Sequence, residues 1–212
     1  MLKKYILVVA ILSLPAIGWG VGEKIDLPIK RIGVAPQKIT VASGVEIRPE
    51  LNEEFADYTF EYRWFVNGEP DDFETSEKYP GNLLKRGDKL KVEIIPVGFV
   101  ESDQYSAVVP EMEVMNAAPR ITSRPPQKLS GDSFAYQAEA EDPDGDDLRF
   151  SLIDEPEGMS IDPVSGLLSW IYTPEGVGAL KFKIVVEDGF DGRDEQNVEM
   201  TLSSVESGVV NE

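Results

Sequence analysis

From Leu180 to Val186 every second residue is apolar, with Leu180, Phe182, Ile184 and Val186 separated by Lys181, Lys183 and Val185. A period of two puts successive side chains on opposite faces of a strand, so one face of this stretch belongs to a core. The pattern recurs along the chain. Tyr58, Phe60, Tyr62, Trp64 and Val66 alternate with Thr59, Glu61, Arg63 and Phe65, and Leu90, Val92 and Ile94 repeat it. Tyr105, Ala107 and Val109 form another short run, after a predicted loop from Pro96 to Gln104. Further on come Phe134, Tyr136, Ala138 and Ala140, then Leu148, Phe150 and Leu152, then Leu168 and Trp170, then Val198, Met200 and Leu202. Turn residues punctuate the runs. Asn67-Gly68 tolerates the positive φ angles of a tight hairpin, and Gly87-Asp88 marks a second reversal. No long segment has helical period. Short strands with turns every ten or so residues predict an all-β chain built from sandwiches.

Met115-Asn116-Ala117-Ala118-Pro119 separates two strand-rich blocks and has the small residues and proline of a linker. The expected layout is therefore a sandwich over 39–115, a second over 116–204 and a flexible tail over 205–212. Residues 23–38, with Pro28 and Pro36 and no clear period, read as an extended lead-in. Residues 1–22 read as a signal peptide. Lys3 and Lys4 start it, Tyr5 to Leu14 is apolar, Pro15 breaks the run, and small residues follow to Gly22. The apolar run is short for a bilayer span, and no cysteine follows it to carry a lipid. The competing reading is an uncleaved N-terminal anchor. Export implies a periplasmic, cell-surface or secreted location, without membrane attachment once the signal is cleaved.

The 212 residues hold no cysteine and no histidine. Disulfides, thiol nucleophiles and the His-based hydrolytic triads and metal sites are all excluded. Carboxylates are plentiful, but no pair of them comes with a groove-forming motif of the kind that glycoside hydrolysis needs. The chain is read as non-catalytic. With 20 basic and 39 acidic residues the formal net charge is −19, and losing Lys3 and Lys4 with the signal would take it to −21. Such a surface repels nucleic-acid backbones and anionic membranes and suits cations, basic proteins or plain solubility.

In the second block, Asn116 to Pro119, Ile121-Thr122-Ser123, Ala140-Glu141-Asp142-Pro143-Asp144-Gly145-Asp146, Pro156 to Asp162, Gly166-Leu167-Leu168-Ser169-Trp170 and Val186-Glu187-Asp188-Gly189 occur in that order. Together they resemble the bacterial putative-Ig, dystroglycan-type cadherin-like module, over about residues 116–204. In the first block, Tyr62 to Gly68 with Lys85-Arg86-Gly87-Asp88 resembles Ig-like or PKD-like modules of bacterial surface proteins, with Trp64 filling the core. The resemblance implies two tandem immunoglobulin-like β-sandwiches, and work in adhesion, spacing or interaction with a protein partner in an extracytoplasmic assembly. A carbohydrate-binding accessory protein is the alternative, and an exposed aromatic platform would favour it.

Asp142, Asp144, Asp146 and Asp147 crowd around Gly145. Carboxylates at alternate loop positions can give several of the six to eight oxygens that calcium takes, and a cation relieves their repulsion. An EF-hand does not fit, since no helices flank the run and Asp154, not a bidentate glutamate, stands about where the loop should close. The cadherin likeness implies a calcium site at the domain junction, with Asn116, Asp142, Asp144 and Asp188 as ligands. The linker's Ala117 and Ala118 stand where cadherins carry acids. Asp-Pro-Asp-Gly-Asp is equally a polar turn by composition. Asp188 to Asp194 reads as a hairpin loop with Phe190 at its tip as a candidate contact residue.

Cleavage of the leader is expected after Gly20 or Gly22, so N-terminal sequencing of the native protein should read from Val21 or Glu23. An intact Met1 recovered in a membrane fraction would reject it.

Overall fold

A computed structural model describes residues 29–53, 56–97, 107–129, 132–172 and 179–202. The chain divides into two compact units, Met1–Met115 and Asn116–Glu212. Apart from 3-10 geometry at Glu53 and a short 3-10 turn at Gly81–Leu83, the described regular structure is all strand. No helix among the described residues is long and apolar enough to cross a membrane. The leader read over 1–22 and the tail read over 205–212 lie outside the described residues.

Unit 1 is a sandwich of two antiparallel sheets. One holds β1 (Ile29–Ala35), β2 (Val45–Leu51) and β5 (Lys78–Tyr79) in the order β1-β2-β5. The other holds β3 (Thr59–Val66), β4 (Glu69–Asp71), β6 (Lys89–Val97) and β7 (Ala107–Glu113) in the order β4-β3-β6-β7. The apolar half of each alternating run faces inward. Ile32, Val34 and Ile47 from the first sheet join Trp64, Leu90, Val92, Ile94 and Val109 from the second in one core. Trp64 is fully buried, its ring 5.2 Å from that of Tyr79, and its indole N–H donates to the Ser76 carbonyl at 2.9 Å. Asn67 and Gly68 take φ of 54° and 87° to turn β3 into β4.

Two sequence expectations change here. Residues 29–35 of the supposed lead-in are part of the sandwich, because Ile29–Ala35 pairs along β2 and buries Ile32 and Val34, while residues 23–28 lie outside the described residues. The flanking prolines and Lys30-Arg31 hid this strand, since only the Ile32–Val34 stretch is fully buried. Pro96, expected to open a loop, lies within β6 opposite Phe60. Among the described residues the pairing of β6 with β7 runs from Lys89 to Ile94.

Unit 2 repeats the architecture. One sheet runs β10 (Ser133–Gln137), β14 (Leu167–Ile171), β13 (Ser160–Ile161). The other runs β12 (Arg149–Ile153), β15 (Ala179–Glu187), β16 (Arg193–Leu202), β9 (Lys128–Leu129), the last pair being parallel. A two-stranded piece joins β8 (Arg120–Ile121) to β11 (Ala140–Glu141). Phe134, Leu168 and Trp170 meet Phe150, Phe182, Ile184, Val186, Val198 and Met200 in a second core. Trp170 stacks on Tyr172 at 4.5 Å, and its indole N–H donates to the Glu157 carbonyl at 3.0 Å. The outward face of β15 and β16 carries the ion pairs Lys181–Glu199 at 2.8 Å and Lys183–Glu195 at 2.9 Å. Exposed pairs of this kind contribute at most about 1 kcal/mol each, so the buried layer is what holds the unit.

Trp170→Ala should therefore cost unit 2 roughly 3–5 kcal/mol, the range for deleting a large buried aromatic. Denaturant melts that move by well under about 1 kcal/mol would place the ring outside the core.

Candidate functional site

The acidic loop between β11 and β12 is organised by its first carboxylate. Asp142 Oδ1 accepts from the backbone N–H of Asp144 at 2.8 Å and of Asp146 at 3.2 Å, and the Gly145 N–H donates to the Asp142 carbonyl. This curls the loop, with Gly145 at φ 80°, so that one carboxylate oxygen from each of Asp142, Asp144 and Asp146 lies within 4.8 Å of the other two. The second oxygen of Asp142 is buried and has no hydrogen-bond partner. A buried, unpaired carboxylate oxygen is costly, and here it sits beside two further carboxylates.

The start of the unit is tied to this loop and to the β15–β16 loop. Asp144 Oδ2 accepts from the Ala117 N–H at 2.7 Å. The Asn116 side-chain amide donates to Asp188 Oδ2 at 2.7 Å and to the Phe190 carbonyl at 3.2 Å. Asp188 Oδ1 accepts from the N–H groups of Phe190 at 2.7 Å and Gly192 at 2.9 Å. Asp188 is 3% exposed. Burial opposes its ionisation, but the Asn116 amide and the two backbone donors outweigh that, and its carboxyl is held below the usual aspartate range. Gly192 has to be glycine, because a Cβ there would stand 1.8 Å from Asp188 Oδ2.

The four residues expected from the sequence as metal ligands thus fall into two sets. Asp142 and Asp144 share a cluster whose third member is Asp146. Asn116 and Asp188 hold each other and the β15–β16 loop, and Asp188 lies outside that three-carboxylate group. The alternating Asp-x-Asp-Gly-Asp spacing is the sequence signal for Asp146. Phe190 is 53% exposed at its loop tip. Trp64 and Trp170 are both buried, so neither offers an exposed face on which a sugar could stack.

Residues 118–203 match the family model described as "Putative Ig domain". No curated protein sequence matches the chain. Among solved structures, mouse cadherin-23 EC22–24 is similar at 17% identity, covering 79% of this chain and 60% of that one with a TM-score of 0.38. Drosophila N-cadherin EC1–4 is similar at 12% identity, 78% and 46% coverage and a TM-score of 0.37. A Bacteroides fragilis structure described as a "putative alpha-galactosidase" matches at 19% identity over 43% of this chain and 19% of that one, with a TM-score of 0.34. The chain thus spans between a fifth and three fifths of the lengths of these structures. Likenesses this distant carry no argument about activity. The fold itself, two tandem immunoglobulin-like sandwiches, stands on the sheet order and the two cores.

Asp188→Asn removes a charged acceptor from three donors and should destabilise unit 2 by about 1.5–3 kcal/mol at neutral pH. Because the folded pKa lies below the unfolded value of about 3.9, that contribution is complete above it and fades as pH falls through the folded pKa. Urea melts at pH 7 and pH 3 should show the gap between wild type and variant closing at the lower pH.

Proposed function

We propose that this chain is a non-catalytic exported module for adhesion, spacing or protein interaction in an extracytoplasmic assembly, and that its second sandwich is stabilised by calcium. The single observation that carries the calcium reading is the buried, partnerless Asp142 Oδ2 within the Asp142, Asp144 and Asp146 group. Hard carboxylate oxygens gathered at one loop suit calcium, whose shell is large and flexible. A cation there would satisfy the orphaned oxygen and neutralise three neighbouring negative charges. Asn116 and Asp188 act beside the site by fixing the ends of the loops around it, and the Ala117 N–H orients Asp144. The match of residues 118–203 to an Ig-domain family supports a binding or spacing role over chemistry, as do the missing histidines and cysteines.

Calcium should raise the melting temperature of unit 2, since a ligand that binds only the folded state stabilises it by mass action. Asp142→Asn and Asp144→Asn should each weaken that response, and magnesium should substitute poorly because it demands a tighter octahedral shell. Differential scanning calorimetry with calcium, magnesium and chelator decides the matter. An equal rise with any divalent salt, unchanged in both variants, would mean charge screening on an acidic chain and no site.

A further inference from the structure

The segment between β4 and β5 in unit 1 displays Phe73 at 94% exposure. The loop that does so is pinned, not frayed. Asp71 Oδ1 accepts from the N–H groups of Phe73 at 2.9 Å and Glu74 at 3.3 Å, while Asp71 Oδ2 accepts from the Tyr79 hydroxyl at 2.6 Å. Tyr79 is buried against Trp64, and Trp64 in turn donates to the Ser76 carbonyl. Both sides of the Phe73 turn are thereby tied to the core of unit 1. An aromatic displayed on a pinned loop has already lost the backbone entropy that binding would otherwise take from it.

The same loop lines a groove of about 360 Å³, whose walls include Glu61 and Arg63 of β3, Asp71, Asp72, Thr75 and Ile95 of β6. Three of these side chains are carboxylates. The one cation, Arg63, is committed to Glu93 at 3.4 Å. Glu61 and Asp72 have no ion pair among the described residues. Asp72 and Thr75 flank Phe73 in the chain, so the acidic groove and the displayed ring belong to one surface element. Its chemistry is complementary to a cation placed next to an apolar side chain.

We infer that this groove is the docking site for a basic, extended segment of a partner protein. A lysine or arginine of that segment meets Glu61 and Asp72, and an adjacent aliphatic or aromatic side chain covers Phe73. The inference gives the partner's chemistry for the interaction reading above and rests on that reading alone. The calcium site lies in the other unit and is not involved.

The test is a titration of isotope-labelled protein with the peptide acetyl-Gly-Arg-Ile-Lys-Gly-amide, followed by amide chemical shifts. It is run in chelator, so that failure of the calcium reading cannot affect it, and at about 0.15 M salt to suppress diffuse attraction. Shifts are expected to concentrate at residues 61–63, 71–75 and 95. Phe73→Ala should weaken binding about tenfold, and Asp72→Asn should weaken it as well. Glu199→Gln, which removes one charge from the outer face of unit 2, should leave it unchanged, and a peptide with glutamine in both basic positions should not bind. Phe73 is exposed, so the variant's melting temperature should match the wild type and confirm its fold. The inference is overturned by shifts spread over both units, by Glu199→Gln weakening binding as much as Asp72→Asn, by an unaffected Phe73→Ala, or by no binding at millimolar peptide. Concentration-dependent shifts at the groove in protein alone would assign it to a second copy of this chain and overturn it too.

Discussion

Each sandwich closes over a buried tryptophan whose indole N–H reaches the carbonyl of a nearby loop: Trp64 to Ser76 in unit 1 and Trp170 to Glu157 in unit 2. With no cysteine in the chain, nothing covalent joins the sheets, and their association depends on apolar burial. Tryptophan contributes the largest single share of such area, but its N–H must find an acceptor once water is gone. The carbonyl that supplies it also fixes the loop. In each unit a core residue therefore positions surface backbone, and Tyr79 extends the device in unit 1 by holding Asp71.

Charge is handled differently on the two kinds of surface. On the sheet faces, acids such as Glu199 and Glu187 are paired with the neighbouring bases Lys181 and Arg193. In the loops, acids are spent on backbone N–H groups or left to face one another. Asp188, and likewise Asp71 at the end of β4, are of the first kind, each accepting more than one hydrogen bond, and both are held below the usual carboxyl range, Asp71 chiefly by the Tyr79 hydroxyl. Asp142 is of both kinds at once, one oxygen organising the loop and the other left without a partner. Unbalanced negative charge in the loops, joined in unit 1 by Glu61 of the neighbouring strand β3, makes these the places where cations or basic segments would bind.

Much of the site is legible in the sequence because most of the residues that compose it are close together in the chain. The Asp142 to Asp146 spacing is a local pattern, and a single loop can realise it. Asn116 and Asp188 are 72 residues apart, yet the cadherin-like motifs at the two ends of the second block single both out. What spacing cannot say is how the oxygens are shared. Asp188 is saturated by donors from its own loop and from Asn116, whereas Asp146, equally acidic and two residues from Asp144, joins the cluster. The Phe73 turn is not legible at all, because the alternation ends at Asn67-Gly68 and an aromatic among acids has no periodic neighbour to say which way it faces.

The sequence by itself determined the strands whose apolar residues repeat every second position, the turns that need positive φ, the lack of thiol and imidazole chemistry and the acidic surface. These follow from residue identity and short-range geometry, which are fixed before the chain folds. Only the tertiary structure decided that Ile29–Ala35 is a strand and that two-residue strands such as β8, β11 and β13 exist. It alone decided which carboxylate oxygen is left unpaired and that Gly192 must make room for Asp188. Each of those depends on which distant segments pair, and a short or interrupted strand gains its hydrogen bonds and burial only when its neighbour is in place.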